Sequence, residues 1–86
     1  MNLTIQVLSV LDGALHLQGR AAGFTRDTPL LGALPELDSM AVLALITGLE
    51  NHFGITFNDE DINGSAFATV GSLSDLVVQA MARQDS

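Results

Sequence analysis

Eighty-six residues with 48% hydrophobic content suit one small domain with a single core. Cysteine is absent, which excludes disulfides, thiolate metal ligands and any thiol belonging to the chain itself. Ten acids against three arginines give a net charge of −7, which argues against nucleic acid and anionic membrane surfaces and favours partners with basic patches. The same acidity also serves plain solubility.

The first seventeen residues have no basic flank, and Thr4, Gln6, Ser9, Asp12, Gly13 and His16 interrupt them. They read neither as a signal peptide nor as a membrane span, so the expected location is the cytoplasm. Ile5, Leu8, Leu11 and Leu15 recur at three- and four-residue steps, the pattern of one apolar helix face from Leu3 to Leu17. A hairpin competes, because Asp12-Gly13 is a turn pair and the segments beside it alternate. The helical character of the rest of the chain favours the helix.

Residues 18 to 38 hold Gly19, Gly23, Pro29, Gly32 and Pro35 and read as a long loop, with Leu30, Leu31 and Leu34 pinning it to the core. A second helix starts at Asp38, a good N-cap, with Leu37 placed to pack on Val42 as a hydrophobic staple. Val42, Leu45, Ile46, Leu49 and Phe53 form its inward stripe, and Gly54 ends it. Its other face, with Met40, Leu43, Ala44 and Thr47, is unusually apolar for a solvated surface.

Asn58 reads as the cap of a short third helix with acids in its first turn and with Ile62 and Phe67 facing inward. Thr69 caps a last helix from Val70 to Arg83, whose buried stripe is Leu73, Leu76, Val77, Ala80 and Met81. The residues after it are expected to fray. The expected architecture is an all-α four-helix bundle, three longer helices and one short one, in a single domain spanning residues 1–86.

Ser39 lies where a helix begins. Backbone N–H groups there lack intrahelical partners and the dipole favours negative charge, so a phosphate on this serine would be well placed. A bare Asp-Ser pair more often just starts a helix. Its context is more specific. The loop with Thr28-Pro29-Leu30, then Asp38-Ser39-Met40, the helix end Leu49-Glu50-Asn51-His52-Phe53-Gly54-Ile55, and Thr69-Val70-Gly71-Ser72-Leu73 follow one another in an order and spacing that resemble acyl carrier proteins. The resemblance covers most of the chain and is least clear before Gly19.

The resemblance implies that Ser39 receives a phosphopantetheine arm from coenzyme A, beside Asp38 as helix cap. It implies a stand-alone bacterial carrier with no catalytic or metal-binding residue of its own. Its partners would be a phosphopantetheinyl transferase, an acyl-loading ligase or transferase, and downstream acyl-processing enzymes. Met40, Leu43, Ala44 and Glu36 would touch those partners. Leu45, Leu49, Phe53, Ile62 and Val77 would line the interior where some members shelter an acyl chain, although core packing is the plainer reading of that stripe. A lone carrier domain is expected to be a monomer.

The chain departs from the family pattern twice. Leu37 stands where many members have glycine before the Asp-Ser pair, and no acid occurs from Met40 to Gly48. The second departure weakens electrostatic docking and points to a specialised pathway rather than housekeeping fatty-acid synthesis. The segment Leu30 to Met40 also resembles stand-alone carriers of bacterial surface-polymer and exosortase systems.

Other readings compete. An aminoacyl carrier would share the fold, and an unmodified helical interaction module would use Met40, Leu43 and Ala44 as a docking face. Asp59-Glu60-Asp61-Ile62-Asn63-Gly64 matches the first half of a calcium loop, but Phe67 and Val70 stand where the later oxygen ligands belong. A serine hydrolase lacks its G-x-S-x-G elbow, and His52 lies thirteen residues along the same helix, roughly 20 Å from Ser39.

Overall fold

The computed structural model describes residues 3–84. Three α-helices carry the architecture: α1 (Leu3–Leu15), α2 (Ser39–Phe53) and α3 (Val70–Gln84). Single 3-10 turns, Arg20–Gly23 and Asp59–Asp61, lie in the connections. No strand occurs among the described residues, and one isolated bridge joins Pro29 to Thr69. Of the residues expected to fray after Arg83, Gln84 is the last residue of α3, and residues 85 and 86 lie outside the described residues.

α1 packs on both α2 and α3. Leu11, Leu45, Leu49, Leu73 and Val77 are completely buried where the three meet. The stripes expected on α2 and α3 are the ones that turn inward: Leu45, Ile46 and Leu49 on the first, Leu73, Leu76, Val77 and Ala80 on the second, with Val42, Phe53 and Met81 partly buried beside them.

α1 is a helix, and Asp12-Gly13 lies within it rather than in a hairpin turn. Its inward face is Val7, Leu8, Leu11 and Leu15, whereas Ile5, expected on that face, is 62% exposed. The helical turn explains this: Ile5 lies about 120° around the axis from Leu11, and Val7 only about 40°. α1 also stops at Leu15, two residues before the expected end at Leu17. His16 and Gln18 take left-handed conformations, at φ 55° and 56°, and drop Leu17 into the core, where it is 1% exposed. Such values are uncommon outside glycine and persist where packing over-determines them. The Leu17 N–H turns back to the Asp12 carbonyl at 3.0 Å.

The expected short third helix is a single 3-10 turn. Asn63 ends it: its side-chain oxygen accepts the Ala66 N–H at 3.0 Å, a local turn that competes with helix. Phe67 is buried as expected, but Ile62 is 37% exposed and does not line the interior. In the connection before α2, Leu30 is fully buried and Leu34 partly so, while Leu31 is 46% exposed and lies outside the core.

Residues 26–31 lie along the approach to α3. The Gly71, Val70, Leu30 and Leu31 N–H groups donate to the carbonyls of Arg26, Thr28, Ala68 and Phe67 at 2.8–3.0 Å. These bonds satisfy backbone groups of two irregular segments at once.

Candidate functional site

Ser39 is the first residue of α2, and it is exposed. Asp38 before it is extended, at φ −101° and ψ −174°, the usual geometry of a cap. Its carboxylate accepts the Ala41 N–H at 2.8 Å and its carbonyl accepts the Val42 N–H at 2.9 Å. The expected cap is therefore in place. The earliest N–H groups of the helix, at Ser39 and Met40, have no intrahelical acceptor and carry the positive end of the dipole.

The segment leading to Asp38 is held on two sides. Leu37 is 5% exposed and packs in the core. Glu36, expected among partner contacts, is half-buried and paired through Oε2 with the Arg20 guanidinium. That hydrogen bond, more than the charge itself, holds the Glu36 carboxyl below its ordinary value. No spacing rule relates Arg20 to Glu36, sixteen residues apart, so the pair was invisible in the sequence.

Beyond Ser39, α2 exposes an apolar face. Met40 is 76% exposed, Leu43 61%, and Ala44 and Thr47 are exposed too. Glu50, the first acid along this helix, is committed within the molecule: its carboxylate accepts the Phe57 N–H at 3.0 Å. Gly54 closes the helix in the left-handed conformation, at φ 66°.

The partial calcium loop is organised for other contacts. Asp61 accepts from the Arg83 guanidinium at 2.6 Å and from the Asn58 N–H at 3.0 Å, and these bonds hold its carboxyl below its ordinary value. Phe67 and Val70 are core residues. His52 sits at the far end of α2 from Ser39, edge-on to Phe53 and 3.3 Å from the Gln6 side-chain oxygen.

Residues 6–77 match the family described as a phosphopantetheine attachment site. The chain belongs to this family of acyl carrier proteins. The structure is similar to that of a holo acyl carrier protein from Nitrosomonas europaea, at 38% identity and a TM-score of 0.88, over 95% of this chain and 99% of that one. It is also similar to a holo acyl carrier protein from Geobacter metallireducens, at 25% identity and a TM-score of 0.78, over 98% and 91% of the two chains. No curated protein matches the chain.

Acyl carrier proteins hold a covalently attached phosphopantetheine and catalyse nothing themselves. Phosphopantetheinyl transferases and acyl-processing enzymes are their partners. The start of α2 suits such a group, offering an exposed hydroxyl for a phosphodiester and backbone donors in a positive field beside it.

Proposed function

We propose that Ser39 is the attachment residue and that residues 1–86 act as one monomeric carrier domain in the cytoplasm. The observation that carries this reading is the exposed hydroxyl on the first residue of α2, presented by the Asp38 cap. The Ser39 oxygen attacks the phosphorus of coenzyme A that bears the pantetheine arm, the pyrophosphate P–O bond breaks, adenosine 3′,5′-bisphosphate leaves, and the hydroxyl proton goes to the transferase. Because the chain has no cysteine, the thiol that holds an acyl group must be the arm's own. Tethering then raises the effective concentration of the thioester at each partner's site.

Met40, Leu43 and Ala44 form the face that partners meet, flanked by Glu36, whose carboxylate is already engaged by Arg20. With no acid between Met40 and Gly48, and Glu50 bound to the Phe57 N–H, docking there relies on apolar contact. This supports a specialised pathway with a dedicated ligase or transferase. No helix among the described residues is long and apolar enough to cross a membrane.

Intact-mass spectrometry after incubation with coenzyme A, magnesium and a broad-specificity phosphopantetheinyl transferase tests the assignment. One phosphopantetheinyl addition is expected on the native chain and none on Ser39→Ala. Addition to the Ser39→Ala chain would place the arm elsewhere.

A further inference from the structure

We propose that Arg20 and Glu36 act as a positioning clamp for modification, fixing the segment that delivers Ser39 rather than touching the transferase. This rests on the reading of Ser39 as the attachment residue.

Glu36 lies three residues before Ser39, in a stretch outside regular helix. Its carboxylate is divided. Oε2 meets the Arg20 guanidinium, while Oε1 is sealed from water with no hydrogen-bond partner. A half-buried carboxylate is tolerated there because its counter-charge is present. Without Arg20 the carboxylate gains by swinging into solvent, which pulls on the backbone of residues 35–37.

Arg20 is itself fixed. Its backbone N–H and its Nε both donate to the Leu17 carbonyl, at 3.1 and 3.2 Å. The Asp12 carboxylate, on α1, accepts the N–H groups of Gly19 at 3.0 Å and Ala21 at 3.2 Å, on either side of Arg20. A continuous set of contacts thus runs from α1 through Asp12, Arg20 and Glu36 to Leu37 and the Asp38 cap. Leu37 supplies the apolar half of the anchor and the ion pair the polar half. A glycine before the cap could not supply the first.

The test follows modification by coenzyme A and a broad-specificity transferase for the native chain, Arg20→Ala, Glu36→Ala, the double alanine variant and the reversal Arg20→Glu/Glu36→Arg. Amide hydrogen exchange is read on the same unmodified chains. Each alanine variant is expected to lower kcat/KM about two- to fivefold, the range of a partly exposed ion pair. Each should also speed exchange at Ala41 and Val42 while leaving Leu11 and Leu73 protected. The double variant should be no worse than either single one, and the reversal should restore most of the loss. Loss of modification in Glu36→Ala alone, with Arg20→Ala unchanged, would overturn the clamp and make Glu36 a direct transferase contact. If the native chain is not modified at Ser39, the attachment reading fails. Exchange then still decides the clamp, since unchanged protection at Ala41 and Val42 in Arg20→Ala rejects it.

Discussion

Asp38 performs its role through one bond of 2.8 Å, from the Ala41 N–H to its carboxylate. Removing a cap of this type costs about 1 kcal/mol. Asp38→Ala should lower stability by that amount in urea titration, and Asp38→Asn should recover most of it because asparagine caps equally well. Thr69 works similarly: its hydroxyl accepts the Ser72 N–H at 3.1 Å, and the Ser72 hydroxyl accepts the Thr69 N–H at the same distance. Both caps were legible because donor and acceptor lie three residues apart. The left-handed His16 and Gln18 were not, because what forces them is burial of Leu17 among residues distant in the chain.

At the scale of elements, two glycines in helices separate intrinsic preference from tertiary contact. Gly71, in the first turn of α3, donates its N–H to the Arg26 carbonyl at 2.8 Å, and an added Cβ would lie 3.0 Å from that same oxygen. The carbonyl cannot retreat without losing the bond. Gly71→Ala is therefore expected to destabilise by about 1–2 kcal/mol despite alanine's better helix propensity. Gly13 in α1 is the control, since an added Cβ there meets nothing within 4 Å. Gly13→Ala should stabilise by up to about 1 kcal/mol, so the two substitutions should move the urea midpoint in opposite directions. The absence of a helix over residues 62–67 is decided at this scale too. The Asn63 turn and the burial of Phe67 shape that stretch, and acids suited to a helix start do not outweigh them.

Across the whole molecule, each arginine is paired with an acid from a different segment: Arg20 with Glu36, Arg26 with Asp75, and Arg83 with Asp61. Glu36 and Asp61 both titrate below their ordinary values of 4.5 and 3.8. A carboxyl whose value is depressed by folding adds stability above its unfolded value, and that stability is lost as pH falls through the folded one. Stability should therefore hold from pH 7 toward 5 and decline below about 4.5, the unfolded range of these acids. Asp61→Asn should flatten the lower part of that decline in thermal unfolding followed against pH. The effect is modest because the arginine of each pair is exposed and solvent screens the interaction. The remaining acids leave the carrier strongly anionic, which suits encounter with basic partners.

The amino-acid order was sufficient for the stripe on α2, the caps at Asp38 and Thr69, the stop at Gly54 and the position of Ser39 on a first turn, whereas the local Asn63 turn and the outward angle of Ile5 were legible but overlooked. Those features rest on helical period and short-range hydrogen bonds, which spacing encodes directly. Tertiary packing decided the end of α1 at Leu15, the exposure of Leu31 and Ile62, and the Arg20–Glu36 pair before Ser39. Each of these depends on partners far apart in the chain, and neither period nor propensity specifies which distant groups the fold brings together.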